Sequence, residues 1–355
     1  MITVQKNDLL NAIKAVKNST SKVDIQPILK CIHIKSEGYG LILTATDLSS
    51  SAQSICEANI TEDIDICVNA DKFENIITKL DEIINFKLGE QGIIEIQSGN
   101  TEFKLVYIQA DEFPQITFNQ TEDFVTLTKE EFINGVNKTT ISTANNTTQG
   151  VFSGICFTFN NDYYELASTD GTRLSQIQFN TPMNKQGQFI IPEKILLDVA
   201  KNIEKEVTIY FEENTVIFKT NNCFFKQNLL NGKYPDYQKI IPQNQPLKAI
   251  LNRNDLLHAL EKVAVMCDER TNTTVFDFDN NKLKLTTACD NGNAKDIINI
   301  NFEGKNKIVL NYKFILEGLK VMNTENITFE MTDALSACVL ISDFKYLIMP
   351  IKEVK

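Results

Sequence analysis

Tryptophan is absent from the 355 residues, and histidine occurs only twice, as His33 and His258. So little imidazole leaves scant material for acid–base or metal chemistry at neutral pH. His258 reads as a helix-surface residue and His33 as part of a strand. Arginine is almost as scarce. Only Arg173, Arg253 and Arg270 occur, and every other basic residue is a lysine. Guanidinium forks read guanine edges, whereas ammonium groups act as mobile point charges. A reader of particular DNA sequences with three arginines would be odd.

Other absences narrow the field further. No C-x-x-C pair occurs among the eight cysteines, which stand singly in apolar runs, as Cys156 does in Gly154-Ile155-Cys156-Phe157. They read as buried thiols of a reducing compartment, not as a disulfide framework or a zinc site. There is no G-x-x-x-x-G-K-[ST] loop and no G-x-G-x-x-G turn, so nucleotide hydrolysis is not expected. No run of about 18 apolar residues could span a bilayer, and no basic start leads into an apolar stretch. The expectation is a soluble, cytoplasmic chain without cofactor or metal. The acidic pairs Glu122-Asp123, Glu212-Glu213 and Asp268-Glu269 lack partners at ligand spacing and read as solvated turns. A net charge of −11 speaks against tight attachment to phosphates.

What the chain does have is a threefold repeat. Asn7-Asp8-Leu9-Leu10, Glu130-Glu131-Phe132-Ile133 and Asn254-Asp255-Leu256-Leu257 each open an amphipathic helix with acid in its first turn. A second helix recurs from Lys72, Lys194 and Lys313. Between the two lies a strand ending in Thr46-Asp47, Thr169-Asp170 or Cys289-Asp290, where the Asp suits a turn-capping role. Phe113-Pro114 and Tyr234-Pro235 close the first two repeats. All four landmarks recur at a period of about 120 residues. The fold class expected is α+β, with three domains over 1–121, 122–246 and 247–355, each of two helices and antiparallel strands.

Several words in register with the repeats resemble the bacterial DNA polymerase III β subunit, or β sliding clamp, family along the whole length. The most specific is Thr169-Asp170-Gly171-Thr172-Arg173-Leu174, similar to that family's T-D-G-x-R-L signature. Tyr234-Pro235-Asp236-Tyr237 is similar to its F-P-D-Y segment, and Met349-Pro350-Ile351 to its ending. Gln26-Pro27-Ile28-Leu29 and Ala45-Thr46-Asp47-Leu48 match words of its first domain. The resemblance implies a non-enzymatic processivity factor, a head-to-tail homodimer forming a six-domain ring around duplex DNA. Topology then replaces affinity. The six helix segments together carry no net charge, so the excess acid lies outside them.

The same resemblance assigns residues. A groove for short linear peptides of polymerase III, the clamp loader and repair proteins would be lined by Phe152, Thr169, Gly171, Thr172, Arg173, Leu174, Pro242, Leu247, Phe314, Leu347, Met349, Pro350 and Ile351. Phe152 replaces a smaller aliphatic residue of the family, Thr172 fills a variable position, and Glu353-Val354-Lys355 extends past the usual end. Lys6, Lys14, Lys17, Lys22, Lys72, Lys79, Lys138, Lys194, Lys201, Lys205, Lys262, Lys313 and Lys320 would face DNA. Asn100, Glu102 and Phe103 would meet Val265, Met266 and Lys295 at the ring seam, with Glu102 in a commonly basic position and Lys295 in a commonly acidic one. The alternatives are a second-copy ring scaffold serving repair or drug tolerance, an adhesin-like repeat protein, and an enzyme built on the Thr-Asp segments.

Overall fold

The computed structural model describes residues 1–23, 26–144 and 147–352, so Glu353-Val354-Lys355 lies outside the described residues. The first repeat opens with β1 (Ile2–Gln5), α1 (Lys6–Lys17), β2 (Cys31–Glu37), β3 (Gly40–Thr46), β4 (Ser50–Ile60) and β5 (Asp65–Asn69). It continues through α2 (Ala70–Lys79), β6 (Ile83–Leu88), β7 (Ile93–Ser98) and β8 (Thr101–Gln109). The second has β9 (Phe124–Thr128), α3 (Lys129–Thr140), β10 (Gly154–Phe159), β11 (Tyr164–Thr169), β12 (Arg173–Phe179) and β13 (Gly187–Pro192). Then come α4 (Glu193–Lys201), β14 (Glu206–Phe211), β15 (Thr215–Lys219) and β16 (Cys223–Asn228). The third has β17 (Leu247–Asn252), α5 (Arg253–Ala264), β18 (Thr273–Asp279), β19 (Lys282–Cys289), β20 (Gly292–Asn299) and β21 (Lys305–Asn311). It ends with α6 (Tyr312–Val321), β22 (Asn326–Met331), β23 (Cys338–Ile341) and β24 (Lys345–Ile348).

Local chemistry starts the helices where the repeats predict. Asn252 accepts hydrogen bonds from the N–H groups of Asn254 and Asp255, and Asn311 accepts from Lys313. Thr128 and Glu131 exchange bonds in a capping box, the Thr128 hydroxyl accepting from Glu131 N–H and the Glu131 carboxylate from Thr128 N–H. The second helix begins slightly before the Lys72 landmark, because Asn69 caps it by accepting from Lys72 N–H at 3.0 Å. One face of each helix is buried: Leu9, Ala12, Ile13 and Val16 in α1, and Leu256, Ala259, Leu260 and Val263 in α5.

Two compact units result, Met1–Phe132 with Lys194–Leu229 and Ile133–Glu193 with Leu230–Lys355. The first holds one twelve-stranded sheet ordered β1-β6-β7-β8-β5-β2-β3-β4-β16-β15-β14-β9, with β1 also paired to β4. The second holds an eight-stranded sheet, β13-β10-β11-β12-β24-β23-β22-β17, and a four-stranded one, β20-β19-β18-β21. The second repeat therefore supplies four strands to each unit. In the first unit β4 pairs antiparallel with β16, and in the second β12 pairs antiparallel with β24. These two ladders carry a sheet from one repeat into the next.

Seven of the eight cysteines are buried and Cys289 is half-buried. Burial pushes the thiols of Cys56, Cys67, Cys156 and Cys338 up to about 12, so they are uncharged and unreactive at neutral pH. No helix among the described residues is long and apolar enough to cross a membrane.

Candidate functional site

The turn between β11 and β12 is built by the Thr-Asp pair. Asp170 Oδ1 accepts from the backbone N–H of Thr172 at 2.9 Å and of Arg173 at 3.1 Å, and from the Thr172 hydroxyl at 2.6 Å. Thr169 Oγ1 donates to Arg173 O and accepts from Gly171 N–H. Gly171 takes φ +89°, a left-handed conformation that glycine adopts without steric cost. Asp47 does the same work between β3 and β4, accepting from Ser49 N–H, Ser50 N–H and the Ser50 hydroxyl. The Asp residues at both sites are turn caps. The third hairpin is tighter, with Cys289 pairing directly with Gly292 across Asp290-Asn291.

Beyond the turn, Leu174 stands opposite Leu347 in the β12–β24 ladder, and Met349 N–H extends it by donating to Thr172 O at 2.8 Å. Leu174 and Leu347 belong to a buried cluster with Cys156, Ala167, Ile190, Tyr234, Tyr237, Ile241 and Val339. The Tyr234-Pro235-Asp236-Tyr237 segment is pinned to it by two hydroxyls. Tyr234 accepts from Thr169 N–H at 3.0 Å, and Tyr237 donates to the buried Glu165, which also accepts from Gln176 and Gln238. Phe152 is half-buried, edge-on to Tyr234 at 6.5 Å. Met349 remains 43% exposed, so an accessible apolar side chain adjoins a buried apolar floor. Pro242, Pro350 and Ile351 are half-buried.

Arg173 is held by contacts within the chain. It is buried to 7% exposure, its Nε donates to Asp170 at 2.9 Å, its Nη1 to Glu317, and its guanidinium stacks 4.1 Å from the Phe314 ring centroid. Much of its donor fork is thus committed inside the chain, to Asp170 and Glu317. Leu247 is a correction. It starts β17, opposite Met331, and β24, β23 and β22 separate that strand from β12 in the sheet. Ile241, buried in the cluster with Leu174 and Leu347, is an apolar residue that sequence reasoning missed, and Ile240 beside it in the chain is 49% exposed. Its signal was the Ile240-Ile241 pair two residues after the Tyr-Pro-Asp-Tyr segment.

Among the lysines, Lys138 is the second correction. Its side chain is 1% exposed, pairs with Asp343 and lies over the Phe344 ring, so it cannot face a ligand. Lys6 donates to Thr78 O and Leu80 O, closing the end of α2, and Lys17 pairs with Asp71 and Glu74. Lys194, Lys201 and Lys262 are exposed while bonded to Asn18 O, Asp198 and Asp296. Lys14, Lys22, Lys72, Lys79, Lys205, Lys313 and Lys320 are exposed. A polar cavity of about 820 Å³ lies between α1, β4 and the end of α4, lined by Lys14, Ala15, Lys201 and Asn222 among others.

Family models for the N-terminal, central and C-terminal domains of the DNA polymerase III beta subunit match residues 1–117, 126–236 and 238–352. The chain belongs to the DNA polymerase III beta subunit family. It consists of three clamp domains of α+β build. The beta sliding clamp of Chlamydia pneumoniae is 26% identical over 98% of both chains. The DNA polymerase III beta subunit structure from Thermotoga maritima superposes with a TM-score of 0.92 at 24% identity over all of both chains. A Pseudomonas aeruginosa sliding clamp bound to griselimycin gives 0.92 at 22%, over 99% of this chain and 98% of that one. The two structural likenesses establish the fold.

Proposed function

We infer that the chain is a DNA sliding clamp, a non-catalytic processivity subunit that closes into a head-to-tail ring on duplex DNA and tethers partner proteins by short peptides. One observation carries the ring. The ladder β4–β16 is repeated as β12–β24, each joining the second sheet of one repeat to the last strand of the next. Two corresponding edges stay open among the described residues. β20 pairs only with β19, and β8 pairs with β5 only from Tyr107 onward, leaving 101–106 open on that side. A head-to-tail contact that uses both edges generates a closed ring when its rotation closes. With three repeats per chain, two copies give six domains.

Open strand edges invite uncontrolled pairing, and among those here these two are the ones that correspond to the strands paired in the ladders within the chain. The edges also carry apolar side chains that water disfavours: Val106 at 70% exposure on β8, Ile297 on β20 and Val265 beyond α5. DNA is held by enclosure, which reconciles a net charge of −11 with a nucleic-acid partner. The exposed lysines supply weak, salt-sensitive contact without reading bases. The groove beside Leu174, Leu347, Ile240 and Met349 receives an apolar side chain of a polymerase, loader or repair peptide. Burying one such side chain is worth roughly 1.5–3 kcal/mol, one to two decades of affinity.

The test is topological. After loading by a clamp loader, the protein should stay on nicked circular DNA through gel filtration and be lost when the circle is cut. Equal retention on linear DNA, or a protein that sediments as a monomer throughout and never stays on the circle, would overturn the reading.

A further inference from the structure

The cavity beside α1 occupies the place that Lys138 fills in the other junction. Asn228 and Met349 correspond, because each extends its ladder by the same backbone bond, to Ser49 O and to Thr172 O. Counting back along each strand from that bond makes Cys223 the counterpart of Phe344, and Asn222 that of Asp343. Ala15 is the counterpart of Lys138, each being the tenth residue of its helix. The second junction packs an ammonium group against a carboxylate and an aromatic ring. The first has a methyl group, an amide and a thiol at those positions, and all three border a cavity of about 820 Å³.

Its lining has two characters. Buried apolar groups form one part: Ala12, Ala15, Cys56, Ile203 and Cys223. Four carboxylates, Asp8, Glu57, Asp198 and Glu204, form the other, against two ammonium groups, Lys14 and Lys201. Asp198 is the decisive one, because it is only 5% exposed. Its Oδ1 accepts from the Asn18 amide at 2.7 Å and pairs with Lys201 at 3.4 Å. Its Oδ2 has no partner among the described residues and is not enclosed, so it opens on the cavity. A carboxylate oxygen so far withdrawn from bulk water lacks the donor that its burial calls for. The other acids are spread out. Asp8 and Glu57 lie close enough to Cys56 to add to the effect of burial in raising its thiol, and Glu204 does the same at Cys223. No three acids or thiols among the described residues come together tightly enough to hold one metal ion. A compact cation therefore finds no nest here, whereas an extended one can meet the carboxylates separately. We propose that the cavity binds a linear aliphatic polyamine, with one ammonium on Asp198 Oδ2, a second near Asp8 and Glu57, and the methylenes between them on the apolar lining. Methylenes gain by leaving water for such a surface. Lys201, whose side chain is 68% exposed, can turn to solvent as the ligand takes over Asp198.

Calorimetric titration of the intact protein with spermidine at fixed ionic strength tests the site. One molecule should bind per chain, and its binding should raise the melting temperature. Ala15→Lys sends a tethered ammonium into the cavity and should abolish saturable binding while the unliganded protein still melts cooperatively. Glu57→Gln and Asp8→Asn, both at exposed positions, should each weaken binding about two- to fivefold. The isosteric Asp198→Asn should weaken it about tenfold or more. Glu303→Gln removes an exposed acid from the other compact unit, lowers the net charge equally and should leave the affinity unchanged. Butylamine, with a single ammonium, should bind far more weakly than spermidine. Retained binding in Ala15→Lys, with equal losses in Glu57→Gln and Glu303→Gln, would show that net negative charge alone attracts the amine and would overturn the site. So would the absence of saturable binding to the wild type, or butylamine that binds as tightly as spermidine. Should Asp198→Asn fail to fold, Ala15→Lys, Glu57→Gln and Asp8→Asn decide the matter without it.

Discussion

The β4–β16 and β12–β24 junctions share one backbone plan and differ in nearly every side chain. At the first, Ser50 and Ser51 stand opposite Gln227 and Lys226; at the second, Arg173 and Leu174 stand opposite Ile348 and Leu347. Both extend by the same bond, Asn228 N–H to Ser49 O and Met349 N–H to Thr172 O. The pocket floor thus exists only where two leucines replace a serine and a lysine. Along the helices the contrast reverses. The tenth residue of α1 is Ala15 and of α3 is Lys138. Lys138 fills its site with Asp343 and Phe344, whereas Ala15, Asn222 and Cys223 border the open cavity. A repeated fold supplies equivalent junctions, and side-chain volume and polarity decide which of them is apolar.

The largest effect should come from emptying the filled junction. Asp343→Ala would leave the buried Lys138 without its partner, a loss of about 3–5 kcal/mol in urea unfolding. Burial opposes the Asp343 charge, but the bonds from Lys138 and Ser342 outweigh it and hold the carboxyl below its ordinary range. A depressed carboxyl stabilises the fold above the unfolded value of about 3.9 and loses that contribution as pH falls towards the folded one. The gap between wild type and Asp343→Asn should therefore narrow between pH 7 and pH 3. A constant gap would mean that the pair is not what stabilises this junction.

Next in size, Leu174→Ser makes the groove resemble the first junction. It should cost about 2–4 kcal/mol in thermal unfolding and weaken a fluorescent Q-L-x-L-F pentapeptide by more than tenfold. Ser51→Ala should leave peptide affinity unchanged. Equal sensitivity at the two sites would break the comparison. Met349→Ala removes only the exposed side of the pocket, so affinity should fall about tenfold with little change in the melting curve. The smallest effect is a transplant. Ala15→Lys with Asn222→Asp would copy the Lys138–Asp343 pair into the open cavity, and stability should move by no more than about 1 kcal/mol, because the cavity is polar and open to solvent. A larger gain would show that the first junction was awaiting such a pair.

Much of this architecture is written locally. The acid-opened helices and the Thr-Asp turns each depend on residues within a few positions of one another, so periodicity and spacing were enough to place them. Three repeats of one pattern then implied three domains and six helices. The misreadings share a different cause. Lys138 looks like a solvent-facing helix lysine until Asp343, 205 residues away, arrives beside it. The partners that hold the Arg173 guanidinium, Glu317 and Phe314, are likewise remote from it in the chain. Leu247 looks like a groove residue until the strand order sets β22, β23 and β24 between it and β12. The third hairpin lost its Asp cap because its ladder closes two residues sooner, which no local word announces. Sequence by itself determined the elements and their threefold order, since short-range hydrogen bonds and hydrophobic period specify those. Only the tertiary structure decided which charges are buried, which edges stay open and which of two equivalent junctions is apolar, since each depends on strand register between segments far apart in the chain.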